Sequence, residues 1–346
     1  MTELTLAIDA MGGDHGLDVT LPATMDVLQD IEGLHVLLVG KTETIQAGLQ
    51  RLGQAAHPRL ELIHASEQVA MDEAPAHALR NKKDSSMRVA VNLVKEGRAH
   101  ACVSAGNTGA LMAISKYVLK TLPGVDRPAI IFALPCMTGK THMLDLGANI
   151  DVSPENLLQF AVMGAELCSA VEGLKNPSIG LVNIGSEDIK GNELVKEAHQ
   201  LLRESDLNYV GYIEGNDVYE GKVDVAVCDG FVGNVALKTS EGVAKMIAHF
   251  MKLEFNRNLF TRFAGLCALG VLKALRRRMD PREYNGASLV GLRGIVIKSH
   301  GGADRYAFAN AIREAYNEAR MDLPNRIQQH VQETLRQSTL NQGSVS

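Results

Sequence analysis

The chain has 346 residues, enough for one large domain or two modest ones. With 46% hydrophobic and 22% charged residues, disorder is excluded for most of its length. A net charge of −5 leaves no overall basic field for nucleic acid. Cys102, Cys136, Cys168, Cys228 and Cys267 are odd in number and form no CxxC pair. Neither a zinc site nor a disulfide framework is expected, and a reducing cytoplasm fits. The first ten residues carry Glu3 and Asp9 where a signal peptide has basic residues. No run of 18 apolar residues is free of charge, so no membrane span is expected.

Apolar, β-branched runs predict strands at Leu4–Ile8, His35–Val39, Leu60–Ile63, Ala101–Ser104, Ala129–Leu134 and His142–Leu146. Further strands are predicted at Ile179–Ile184, Tyr209–Ile213, Val223–Cys228 and Ile295–Lys298. Several are continuously apolar, as in strands covered on both faces. Between them the spacing predicts helices over Ser85–Glu96, Thr108–Leu119, Glu155–Val171, Glu193–Arg203 and Val235–Phe250. Strand–helix repetition points to a mainly parallel α/β sheet sandwiched by helices. Residues 1–337 read as one domain, with a helical insertion at about 250–280, and the polar residues 338–346 as a flexible tail.

In such folds ligands bind beyond the carboxyl ends of the strands. Six of these ends run into loops rich in Gly, Asp, Asn and Ser. They are Asp9–Gly16, Ser104–Ala110, Asp145–Asn149, Asn183–Asn192, Cys228–Asn234 and Ser299–Asp304. Each alone fits an ordinary turn and helix cap. Six expected at one sheet edge would form a cradle of amides for a small anion.

Other motifs fail on spacing. Gly40-Lys41-Thr42 and Gly139-Lys140-Thr141 look like P-loop ends, but His35 and Leu134 stand where the first glycine belongs. No GxGxxG or GxSxG occurs, so neither a dinucleotide cofactor nor a serine elbow is supported. His15, His142 and His300 lack clustered ligand partners, so no metal is expected.

The string Ile8-Asp9-Ala10-Met11-Gly12-Gly13-Asp14 resembles the opening signature of the phosphate acyltransferase family. The resemblance continues through Arg80–Met87, Ser104–Ala110, Asp145–Asn149, Asn183-Ile184-Gly185 with Lys190-Gly191-Asn192, Asp229–Asn234 and His300-Gly301. The strings run in order from about residue 4 to residue 320. Leu17 and Ala303 depart from the pattern, at positions where Pro and Ser are common. The resemblance implies a three-layer α/β/α sandwich, similar to phosphotransacetylases and isopropylmalate dehydrogenases, and usually a homodimer. It implies a cytoplasmic enzyme of phospholipid synthesis with no cofactor. That enzyme moves a long acyl chain from acyl carrier protein to inorganic phosphate. A membrane glycerol-3-phosphate acyltransferase then uses the acyl phosphate.

That chemistry needs phosphate held against a thioester carbonyl and donors for the oxyanion. Lys190, beside a helix start, is the candidate to clamp phosphate or take its proton, and a solvated turn lysine is the plain alternative. Asn234 is the candidate oxyanion donor, and a helix N-cap is its alternative role. Gly12, Gly13, Asp14, Ser104, Gly106, Asn107, Thr108, Gly109, Asn149, Asn183 and Gly233 are expected around the substrate. Asp9, Asp14, Asp145 and Asp229 are expected to orient Lys190, Arg80, Lys82 and loop amides. Arg80 and Lys82 read as a second phosphate wall, a contact to the acidic carrier, or a plain charged loop. His300 is a candidate proton donor to the leaving sulfur.

Between Phe255 and Met279 lie Arg257, Arg262, Lys273, Arg276, Arg277 and Arg278 with no acid. Leu259, Phe263, Leu266 and Cys267 recur in helical steps, which predicts an amphipathic hairpin. It suits an anionic membrane surface or burial in a dimer, and the arginines also suit an acidic carrier. Two other functions stay open: a phosphotransacetylase acting on acyl-CoA, and a non-catalytic membrane-associated scaffold.

Overall fold

The computed structural model describes residues 3–53, 57–278, 280 and 282–343. The N-terminal half runs β1 (Leu4–Asp9), α1 (Leu17–Asp30), β2 (Leu34–Gly40), α2 (Thr42–Arg51), β3 (Leu60–His64), α3 (Pro75–Asn81), α4 (Ser86–Lys95), β4 (Ala101–Ser104) and α5 (Thr108–Leu119). The middle runs β5 (Ala129–Cys136), β6 (Gly139–Leu144), α6 (Pro154–Val171), β7 (Ile179–Val182), α7 (Glu193–Arg203), β8 (Tyr209–Ile213), α8 (Gly215–Glu220), β9 (Val225–Val227) and α9 (Gly230–Asn256). Then follow α10 (Leu259–Cys267), α11 (Leu269–Arg278), β10 (Ala287–Val290), β11 (Ile295–Lys298), α12 (Arg305–Arg320) and α13 (Leu323–Gly343). All ten predicted strands are present, and β10 is an additional one. Of the tail expected at 338–346, residues 338–343 continue α13, and 344–346 lie outside the described residues.

The strands form one sheet in the order β3-β2-β1-β4-β11-β10-β5-β6-β9-β7-β8. β3, β2, β1, β4 and β11 are mutually parallel, as are β6, β9, β7 and β8. Three antiparallel steps, β11 to β10 to β5 to β6, join the two blocks. An odd number of reversals makes the blocks run in opposite directions. Contrary to the expectation from sequence, the six loops therefore do not share one edge. Those after β1, β4 and β11 open at one edge, and those after β6, β7 and β9 at the other.

Helices cover both faces, giving three layers. On one face α1 and α12 pack over the first block through Leu21, Leu28, Phe308 and Ile312. On the same side α6 and α13 pack over the second block through Phe160, Met163, Leu323 and Ile327. On the other face α4, α5 and the start of α9 cover a core of Met87, Val91, Leu111 and Ile114, with Ala236 and Leu237 against it. Cap residues fix where the helices begin: Ser153 and Asn156 form a capping box on α6, and Asn107, Asn192 and Asp304 cap α5, α7 and α12.

Candidate active site

The first loop cluster is built on a buried carboxyl. Asp9 ends β1 and accepts a hydrogen bond from the Ser104 hydroxyl at 2.6 Å and from the Met11 amide at 3.3 Å. Ser104 Oγ in turn accepts from the Gly106 amide at 3.0 Å. Burial pushes the Asp9 pKa up, against the pull of its hydrogen bonds. The Asp14 amide donates to the Gly301 carbonyl at 2.9 Å, which ties the third loop to the first.

Glycine is obligatory here because backbones meet. A Cβ on Gly12 would lie 2.7 Å from Asp9 Oδ2 and 2.8 Å from the Gly106 amide nitrogen. Gly13 has φ +91°, and a Cβ there would meet Ala105 and the Gly301 carbonyl. Gly12, Gly13, Ala105, Gly301 and Ala303 line a shallow hollow at this edge. The segment before α4 walls it off: Gln68 donates to the Met11 carbonyl at 2.6 Å, and Asn107 Nδ2 donates to the Met71 and Glu73 carbonyls. Asn107 Oδ1 also accepts from the Ala110 amide, so this side chain fastens loops together. Thr108 and Gly109, at the start of α5, are exposed. Arg80 is exposed on α3, and Lys82 caps that helix 3.8 Å from Glu67. Both belong to the walling segment.

His300 follows β11 and is exposed. Its Nδ1 accepts the Gly302 amide hydrogen at 3.0 Å, which leaves Nε2 to carry the proton of the neutral ring. Desolvation lowers its pKa, with smaller opposed effects of Glu241, Lys298, Lys238 and Asp14.

The second cluster repeats the plan at the opposite edge. Asp145, buried after β6, accepts from the amides of Ile130, Ala148 and Asn149 and from Asn149 Nδ2. Burial raises its pKa too. Asn149 also donates to the Pro128 carbonyl. Gly230 and Gly233 pack bare backbone against Asn149 and Asp145, where a side chain does not fit. Asp229 accepts from the amides of Phe231 and Val232 and is the N-cap of α9. The helix thus starts earlier than predicted, and Asn234 lies inside its first turns instead of capping it. Asn234 is exposed, with Cβ, Cγ and Nδ2 packed 3.5–3.6 Å from the Cβ position of Gly147.

The third loop of this edge carries Lys190. β7 lies beside β9, so the turns leaving them are neighbours. Lys190 is exposed, and its backbone is pinned: its amide donates to the Glu187 carbonyl and its carbonyl accepts from Asn183 Nδ2. Asn183 is buried and packs against Gly191. The aspartates orient loop amides, as expected from sequence, but contrary to that expectation they do not orient Lys190, Arg80 or Lys82. The described partners of Asp9, Asp145 and Asp229 are amides and hydroxyl or amide side chains. Buried carboxyls collect the donors nearest in the chain, and Lys190 and Arg80 are in solvent.

Helix α9 links the clusters. It leaves Asp229 at one edge and brings Lys238 and Glu241 within electrostatic reach of Lys298 and His300 at the other. Nine residues of helix advance roughly 13 Å, about the length of a short strand. Sequence reading missed Lys298, which ends β11. It is 8% exposed, and Nζ donates to the Ala105 carbonyl at 3.4 Å and to the Ser299 carbonyl. Its only signal was a lysine closing an apolar strand before a glycine-rich loop.

Beyond Glu241, α9 projects with α10 and α11 as a hairpin. Leu259 is 82% and Phe263 65% exposed, and Leu266 and Cys267 are exposed beside them. Gly265 lies against the Phe255 ring, where a Cβ would come within 2.9 Å. The side chains of Arg276 and Arg277 lie outside the described residues. No helix among the described residues is long and apolar enough to cross a membrane. Neither P-loop look-alike forms one: Lys41 precedes α2, and Lys140 lies in β6 paired with Glu172.

Comparison with known proteins agrees with this architecture. A phosphotransacetylase from Streptococcus pyogenes superposes with TM-score 0.62 at 17% identity, covering 92% of this chain and 94% of that one. The EutD phosphotransacetylase from Staphylococcus aureus gives 0.58 at 16% identity, covering 94% of each. At such identities the likeness concerns the fold. In sequence, the phosphate acyltransferase of Nitrosococcus oceani is 60% identical over 329 residues, 95% of this chain and 97% of its own. The model of the family described as fatty acid synthesis protein matches residues 4–326. The chain belongs to that family.

Proposed function

We propose that the protein transfers a long-chain acyl group from acyl carrier protein to inorganic phosphate, giving acyl phosphate for phospholipid synthesis. Acyl transfer to phosphate is the chemistry named for its 60%-identical relative. The carrying observation is the cradle at the ends of β1, β4 and β11, where Gly12, Gly13 and Gly106 leave backbone in place of side chains. Backbone without side chains lets an anion approach closely, and phosphate is the anionic nucleophile of this reaction.

In this reading a phosphate oxygen attacks the thioester carbonyl, and the carbon–oxygen bond forms as the carbonyl becomes an oxyanion. The oxyanion collapses, the carbon–sulfur bond breaks, and thiolate leaves. Lys190, whose loop leaves β7 at the edge opposite the cradle, holds the phosphate or takes its proton as the contribution of the second subunit of a homodimer. Asn234 donates from its amide to the oxyanion without titrating. His300 donates a hydrogen bond from Nε2–H to the leaving sulfur, and the thiolate takes its proton from solvent. The thiolate is itself a fair leaving group, so this last role is auxiliary.

Residues 1–337 form one acyltransferase domain in this reading, supported by the single sheet that runs through it. The hairpin is its contact to an anionic membrane surface or to a second subunit of a homodimer. Exposed Leu259, Phe263, Leu266 and Cys267 support both. Such an enzyme works in the cytoplasm at the membrane surface, upstream of an acyltransferase that consumes acyl phosphate. Incubation with phosphate and either acyl carrier protein thioester or acyl-CoA, followed by hydroxylamine trapping, tests the donor. Product from the carrier thioester is expected. Product from acyl-CoA alone makes the enzyme a phosphotransacetylase, and no product from either donor overturns both readings.

A further inference from the structure

Lys298 is a buried cation that the mechanism above does not use. Withdrawing an ammonium from water is costly unless charges or hydrogen bonds compensate. Its Nζ finds two carbonyls, those of Ala105 and Ser299, and no third acceptor among the described residues. Those carbonyls belong to the loops leaving β4 and β11, adjacent parallel strands in which Lys298 faces Ser104. The same loops supply Gly106 and Gly301 to the cradle. The charged groups around the ammonium are Asp9 at the end of β1, Asp14 in the loop after it and Lys238 on α9, with His300 and Glu241 just beyond. A dianion entering beside Asp9 and Asp14 meets two carboxyl groups and needs a cation near them.

We propose that Lys298 binds the phosphate nucleophile directly. Its ammonium fastens the β4 and β11 loops to each other and offers its remaining N–H, with its charge, to a phosphate oxygen in the glycine cradle. This rests on the reading that the cradle holds phosphate. Burial lowers the Lys298 pKa to about 8, partly offset by Asp14 and Asp9. The charge is then present at neutral pH and lost in mildly alkaline solution, where phosphate itself stays a dianion.

The test is steady-state acyl phosphate formation by the full-length protein with inorganic phosphate varied. Wild type is compared with Lys298→Met, Lys298→Arg and Gly12→Ala. A charge-assisted hydrogen bond lost corresponds to a phosphate KM raised about 10- to 100-fold. Lys298→Met should show that rise with the acyl-donor KM unchanged, and Lys298→Arg should recover part of it. In wild type the phosphate KM should climb above about pH 8, and Lys298→Arg should flatten the climb. If Gly12→Ala raises the phosphate KM and Lys298→Met does not, the lysine is only a structural tie and the proposal falls. If neither variant changes it, the cradle is not the phosphate site. Should Lys298→Met fail to fold, Lys298→Gln takes its place, and a phosphate KM equal to wild type in that variant overturns the proposal.

Discussion

Asp9 and Asp145 do the same work in two places. Each is a buried carboxyl at a strand end, and each turns amide donors of the next loop inward. Sequence reading singled out both, because a short Asp-to-Gly string after an apolar run is visible without coordinates. Their partners were not visible, since the donors to Asp9 and Asp145 include Ser104 and Ile130, distant in the chain. Lys298 escaped notice for the same reason: a strand-ending lysine reads as a surface residue until Ala105 is seen beside it. At this scale Asn234→Ala removes a donor without disturbing the Asp229 cap. Its kcat should fall about 10²- to 10³-fold, as for loss of one oxyanion donor, with phosphate KM little changed. Lys190→Ala should also lose turnover in the trapping assay, and full activity in that variant would return Lys190 to a plain turn residue.

Local periodicity carries the elements well where contacts are local. The spans of α5 and α7 match the predicted spans, and the hairpin follows from the spacing of Leu259, Phe263 and Leu266. The start of α9 was not legible. Gly230 and Gly233 argue against helix at about 1 kcal/mol each, yet the helix includes them because the backbones of Asn149 and Asp145 lie there. Tertiary approach overrides propensity at those two positions. The hairpin, by contrast, has a stripe with nothing described against it. Replacing Leu259 and Phe263 by Glu should abolish cosedimentation with anionic liposomes and leave acyl phosphate formation in solution unchanged. Unchanged liposome binding ends the membrane role, and a shift from dimer to monomer in light scattering assigns the stripe to the subunit interface instead.

Opposed blocks were beyond sequence reading, because strand direction in the middle of the sheet depends on β10, a four-residue strand between turns. Away from the two loop clusters, a polar cavity of about 60 Å³ lies between the sheet, α6 and α12, lined by Lys140, His142, Glu172, Glu283 and Glu314. Burial pushes Glu314 up to about 7, with Glu172 adding to the rise and Lys140 opposing it. Its folded pKa exceeds the unfolded one, so the stability it contributes is complete in acid and is lost as pH rises towards about 7. Glu314→Gln should therefore gain stability over wild type as pH goes from 5 to 7.5, on the order of 1–3 kcal/mol, and the gain should level off above that. His142, held neutral by burial with its pKa near 4, costs stability towards acid in both proteins and cancels in the difference. A pH-independent difference in urea midpoints would remove Glu314 from this account. The order of the strands has a further consequence for biosynthesis. β11 pairs with β4 across nearly two hundred intervening residues, and α12 and α13 pack one on each block. A chain emerging from the ribosome can lay down β1 to β4 early, but it has no closed cradle until residues 295–302 follow. Until β11 is in place, such a chain has neither the closed cradle nor the finished sheet.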